Sequence, residues 1–437
     1  MGSNAASLPP PDLVNKGVPN APFYLPETIP SAGTAMSSKL FPHNETLPLL
    51  YQPIEIGGMT FKNRIQVAPM CQYSAIEGVP TPWHLVHLGG FATRGASLVI
   101  AEASAVLPNG RISPQCPGLW NDEQRDAWKP IFDFVKANGA RAGIQLAHAG
   151  RKASTVAPWL NMSLTRPHVN TNIANDGEAG GWTSNVWAPS AIPYLDEQFP
   201  DPKAMTLEDI EEFKAAWKAS VKRADEAGVD VVEIHSAHGY LLHEFLSPIS
   251  NKRTDKYGGS LENRLRLAME VIEITRSTLP AEKPVFVRIS ATDNSPEGEK
   301  NEQGEYISWG IEQSKIYLAE ASKRGVAFLD ASSSGNDHKQ KIKLGPGYQV
   351  PFAEQLRASL TNENRIPISA VGLITDGTQA EQILQEGKAD IISVAREFLR
   401  NADLVFDWAQ ELGVSVSVPV QYERAHTRMF KHAQLVY

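Results

Sequence analysis

Short runs of apolar, largely β-branched residues recur along the chain at 65–69, 98–103, 142–147, 230–235, 285–290, 327–331, 366–371 and 390–395. Most are separated by stretches whose apolar positions follow helical spacing. In 260–280, Leu265, Ala268, Met269, Ile272 and Ile274 turn one face toward a sheet. Further helical stretches cover 122–139, 207–228, 308–325, 351–360 and 377–388, and several stop on a Gly just before the next strand. Eight strands alternating with helices predict an α/β fold with right-handed crossovers. Eight is also the number that closes a (β/α)8 TIM barrel. A doubly wound sheet is disfavoured, because no G-x-G-x-x-G turn occurs.

Three segments stand outside this rhythm. Residues 1–47 carry eight prolines and few aliphatic side chains, and read as an N-terminal arm lying on another surface. A β-hairpin follows, LYQPIEI and MTFKNR joined by Gly57-Gly58. After the third strand a long insertion, 153–200, carries Trp159, Trp182, Trp187, Tyr194 and Phe199, and is expected to pack although it shows no periodicity. The predicted division is an arm, 1–47, and a barrel, 48–437, with that insertion and a C-terminal tail, 420–437.

Composition narrows the function. The 437 residues carry 41 Lys and Arg against 49 Asp and Glu, a net charge of −8, which argues against nucleic acid or an anionic membrane as partner. Two cysteines, Cys71 and Cys116, cannot build a disulfide framework, a four-cysteine zinc site or a cysteine-ligated iron–sulfur cluster. No apolar run reaches 18 residues and no secretion signal is visible, so a cytoplasmic protein is expected.

In this fold chemistry sits at the C-terminal ends of the strands. Those ends read Ala68-Pro69-Met70-Cys71-Gln72-Tyr73, Glu102-Ala103, Gln145 through His148, His235-Ser-Ala-His238-Gly-Tyr240, Arg288, Gly372-Leu373 and Ala395-Arg396. His235 and His238 suit either a zinc pair or two N–H donors aimed at an oxygen that gains charge. Tyr240 offers a phenolic proton. Gly372 and Arg396, after the last two strands, suit a phosphate. A buried Arg288 needs an anionic partner, and Gln145 can donate and accept toward a heterocycle. Together these groups fit flavin mononucleotide, FMN, across the mouth, with no metal.

At these residues the chain resembles the Old Yellow Enzyme family of FMN-dependent ene-reductases, most closely its thermophilic-like branch with a cysteine beside the flavin. The matching motifs are APMCQYS (68–74), GIQLAHAGRK (143–152), VEIHSAHGYLLHEFLSPISNKRTDKYGGSLENR (232–264), VRISATD (287–293), VGLITDG (371–377) and VQYER (420–424). The resemblance implies that Ala68, Pro69, Met70, Cys71, Ala103, Gln145 and Arg288 contact the flavin ring. It implies that Gly372, Leu373, Ala395 and Arg396 hold the phosphate end, and that Lys152 lies near the flavin. NADPH or NADH would reduce FMN, and an electron-poor alkene would then be reduced. His235, His238 and Tyr73 would bind that substrate, and Tyr240 would protonate it. Arg424 would reach a neighbouring subunit of a homodimer or homotetramer, although here the chain runs on past it. Relatives often carry Gly where this chain has Ala395; a positive φ there would cost about 1 kcal/mol or more.

Overall fold

The computed structural model describes residues 13–161, 171–296, 298–361, 363 and 365–426. Eight strands close a parallel barrel in chain order: Ile65–Val67, Leu98–Ala105, Arg141–Ala147, Val231–Ser236, Val285–Ser290, Val326–Ser332, Ile368–Ala370 and Ile391–Val394. Helices cover the outside, including Asp122–Ala137, Leu207–Glu226, Leu261–Thr278, Ile311–Lys323, Val350–Ser359 and Gly377–Gln385. The expected TIM barrel is the observed fold. A helix at Pro82–Ala92 joins the first two strands and was not legible in the pattern. Its apolar residues surround the axis, and Gly89-Gly90 interrupts it, so no single face stands out.

The hairpin decides which end of the barrel is open. Ile54–Ile56 pairs antiparallel with Met59–Phe61, and the turn needs positive φ at both Gly57 (57°) and Gly58 (79°). Ile56 and Phe61 then pack against Leu98, Val231, Phe286 and Phe328 at the strand N-termini, and plug that end. Ligands are left with the opposite mouth.

The described part of the arm lies along the C-terminal segment. Gly33 and Met36 donate backbone hydrogen bonds to Ser417 (2.8 Å) and Ser415 (2.9 Å). Asn44 Nδ2 donates to the Ser415 carbonyl at 2.8 Å. Trp187–Ala188 of the insertion pairs in parallel with Lys203–Ala204 just beyond it, a small sheet that the aperiodic sequence did not announce. Residues 1–12 of the arm, 162–170 of the insertion and 427–437 of the tail lie outside the described residues. Among those described, no helix is long and apolar enough to cross a membrane.

Candidate active site

The fourth strand delivers His235, and the chain then doubles back through two left-handed residues, His238 (φ 60°) and Gly239 (φ 69°). A non-glycine residue in this region costs about 1–3 kcal/mol and persists only when its surroundings enforce it. Here they do. The His238 amide donates to Ser290 Oγ at 2.9 Å and the Gly239 amide to His243 Nδ1 at 3.0 Å. His243 is in turn 3.0 Å from the buried Asp293. Lys152 Nζ donates to the His238 carbonyl at 2.9 Å and to the Gly335 carbonyl. The turn brings three rings together: His235 is 5.2 Å from His238 and 4.9 Å from Tyr240, both nearly perpendicular.

Electrostatics sets their protonation. The Ala237 amide donates to His235 Nδ1 at 3.3 Å, so the neutral ring carries its proton on Nε2. Burial first, and then the Arg288 charge, hold both His235 and His238 well below the usual imidazole range. Burial likewise pushes the Tyr240 phenol up and Lys152 down to about 7. The turn therefore presents a neutral N–H donor at His235 and a protonated phenol at Tyr240.

Against Tyr240 lies an apolar wall. Ala103, Cys116 and Ala147 form a buried cluster, with Cys71, Tyr73 and Tyr240 packed on it. The second strand loses regular register between Ala101 and Ser104, which turns Glu102 behind the wall, where it accepts from the Gln72 amide at 2.8 Å. Tyr73 takes φ 50° in the loop so held. Burial raises the Cys71 thiol, and neighbouring Cys116 and Glu102 raise it further, which makes it a neutral thiol.

Beside this wall a cleft of about 190 Å³ is lined by His238, Arg288, Gln349, Gly372, Leu373 and Arg396, among others. Gly372 has φ 117°, and a Cβ there would lie 3.0 Å from Gln349 Nε2. Among the described residues, the amides of Gly372, Leu373 and Ala395 donate to no protein acceptor, and Arg396 makes no ion pair. Unused N–H donors beside a cation suit a phosphate. Ala395 has φ −112°, so the left-handed strain considered for it does not arise.

One rung deeper, Arg288 meets its expected anion: its Nε is 3.2 Å from Asp330 Oδ2. Its guanidinium donates no hydrogen bond to a described residue, and Arg288 lines the cleft. Gln145 Nε2 donates to Glu233 Oε1 at 2.7 Å. The residues thus fit FMN: a guanidinium donor and the acceptor end of an amide for the ring, and free backbone amides with Arg396 for the phosphate.

Two groups lie away from this mouth. His148 stacks on Trp187 at 5.9 Å and abuts Phe213, and burial drives it down to about 3, so it anchors the insertion. Arg424 lies in the exposed turn Glu423–His426, between Tyr422, which lies under Arg94, and His426, which abuts Phe406; it lines neither cleft nor wall of its own chain. Ser332, Gln349 and Glu233 did not stand out in the sequence as site residues, and Tyr194 stood out only as one of the insertion's aromatic residues. Tyr194 lies under the Lys152 ammonium at 4.1 Å. Only Ser332 carried a usable signal, the run Ser332-Ser333-Ser334-Gly335 at the sixth strand's end.

The model of the NADH:flavin oxidoreductase / NADH oxidase family matches residues 49–414. The chain belongs to this family. An NADH:flavin oxidoreductase of Gibberella zeae is 44% identical over 411 residues, 94% of this chain and 95% of that protein. An NADPH dehydrogenase of Geobacillus sp. is 44% identical over 378 residues, 86% of this chain and 98% of the relative. Among solved structures, morphinone reductase in complex with tetrahydroNAD aligns with TM-score 0.63 at 26% identity, covering 85% of this chain and 93% of that one. The Old Yellow Enzyme resemblance and family membership agree. The protein is an oxidoreductase that uses FMN, with NADPH or NADH as reductant.

Proposed function

We propose that this oxidoreductase is an ene-reductase acting on α,β-unsaturated carbonyls, imides and nitroalkenes. The carrying observation is the convergence of the His235, His238 and Tyr240 rings at one strand end, with His235 5.2 Å from His238 and 4.9 Å from Tyr240. FMN supplies the hydride-transfer chemistry between nicotinamide and alkene. His235 Nε2–H and the His238 ring hold the substrate's carbonyl or nitro oxygen and stabilise the negative charge that grows there. Tyr73 lines the same space. Tyr240, kept protonated by burial, gives its proton to the α-carbon. The zinc alternative has no support, since among the described residues no third His, Cys, Asp or Glu joins the pair.

Ala68, Pro69, Met70, Cys71, Ala103, Gln145 and Arg288 would contact the ring, with Cys71 tuning it as in the cysteine-bearing branch. Gly372, Leu373, Ala395 and Arg396 would grip the phosphate. The arm, 1–47, and the barrel, 48–437, act as separate parts of one cytoplasmic protein whose partner is a small electron-poor alkene rather than nucleic acid or a membrane. A homodimer or homotetramer would let Arg424 serve a neighbouring subunit. The test is spectroscopic: flavin bands should bleach with NADPH under anaerobic conditions and return on adding cyclohexenone. A protein that bleaches but recovers only with oxygen is an oxidase, and the ene-reductase reading fails.

A further inference from the structure

Inside the barrel, below the mouth, Glu233 and Asp330 are fully buried and share a single cation, Arg288. Asp330 takes the Arg288 contact and also accepts from Ser369 Oγ. Glu233 has a different partner. Register sets Gln145 directly beside it across the third and fourth strands, and Gln145 Nε2 donates to Glu233 Oε1 at 2.7 Å. A glutamine carboxamide has two ends of nearly equal shape and opposite hydrogen-bonding sense. Oε1 of Glu233 can accept whether the carboxyl is ionised or carries its proton on the other oxygen. It therefore captures the NH2 end and leaves Gln145 Oε1 with no donor among the described residues. The second Glu233 oxygen, Oε2, is buried without a hydrogen-bond partner, so nothing else in the layer claims this side chain.

We propose that Glu233 is a positioning residue: it fixes the Gln145 carboxamide so that the protein offers FMN a hydrogen-bond acceptor, matched to the single N–H of the flavin's pyrimidine ring. This rests on the reading that Gln145 contacts the ring. Without Glu233 the carboxamide turns over at little cost and offers donor or acceptor alike, so the site loses its preference for an N–H partner.

The experiment compares FMN with 3-methyl-FMN, which lacks that N–H, by flavin fluorescence titration of the full chain stripped of flavin. Thermal unfolding checks that each variant is folded. In the unsubstituted protein the dissociation constant should be about tenfold or more higher for the methylated flavin, the size of one well-placed hydrogen bond left unmade. Gln145→Leu should bring the ratio to within about threefold of unity. Glu233→Leu should lower it at least about fivefold. Glu233→Gln, whose own amide can face either way, should fall between. Should Glu233→Leu not fold, Glu233→Gln carries the test. The proposal is overturned if the folded Glu233 variants keep the full ratio while Gln145→Leu loses it. A full ratio in Gln145→Leu would instead remove Gln145 from the ring, and the proposal with it.

Discussion

His238 Nε2 stands 2.8 Å from the Ser332 hydroxyl, joining the turn after the fourth strand to the end of the sixth. Ser332 Oγ also lies 3.3 Å from Gln349 Oε1; when its proton turns to His238 Nε2 instead, the neutral ring keeps its own proton on Nδ1. Ser332→Ala removes that partner and strands a mostly enclosed imidazole nitrogen. A loss of about 1–3 kcal/mol is expected in urea unfolding at neutral pH. An unchanged midpoint would mean that His238 finds another partner at no cost.

Tyr240→Phe keeps the ring beside His235 and removes the hydroxyl that carries the proton. Reoxidation of reduced enzyme by cyclohexenone should slow roughly 10²–10⁴-fold, the usual contribution of a positioned general acid. Reduction by NADPH should stay within about threefold. Stopped-flow absorbance separates the two half-reactions, and equal losses in both would take Tyr240 out of the proton-donor role.

Gly239 lies in the left-handed region, and a Cβ there would stand 2.1 Å from the Gly335 carbonyl oxygen. Backbone cannot swing aside as a flexible side chain can. Gly239→Ala should cost more than about 2 kcal/mol, from left-handed strain and overpacking together. It should also disturb the flavin spectrum. Ala at Gly304, which has nothing within 4 Å of its Cβ position, is the control for positive φ alone.

Arg396→Ala should weaken FMN binding about 10–100-fold, the loss of a hydrogen bond to a charged group. The effect should be larger for FMN than for riboflavin, which has no phosphate. Fluorescence of released flavin on dilution measures both; an equal loss for the two ligands would place Arg396 away from the phosphate.

Glu244 is buried against the Arg151 amide, and desolvation lifts its carboxyl to about 8 against the charge of Arg151. Between the ordinary carboxyl value and about 8, the folded state binds the proton that the unfolded chain releases. The stabilising contribution of the protonated carboxyl is therefore complete below about 4.5 and lost as pH rises toward 8. Glu244→Gln abolishes this titration, so its stability relative to the unsubstituted protein should rise from about pH 5 to about pH 8. A flat difference across that range would mean that Glu244 titrates normally.

The barrel was legible because its signal is local: a buried parallel strand is a short β-branched run, and eight such runs with helices between them admit few arrangements. The positions of the candidate site followed from the same count, since the residue at each strand's end needs only the strand's boundary. His148 shows the limit. It ends the third strand like the other candidates, yet the insertion's Trp187 claims its ring. No periodicity in 153–200 marks where that tryptophan lands.

The sequence by itself determined which residue types stand at the barrel mouth, because alternation and helix stops depend on neighbours a few residues away. Only the tertiary structure decided their partners: Glu233 beside Gln145, Ser332 beside His238, Asp330 beside Arg288, and the arm along 415–417. Each joins positions far apart in the chain, through register and barrel closure. It is burial at those junctions that keeps the two site histidines neutral, Tyr240 protonated and one end of the Gln145 amide free.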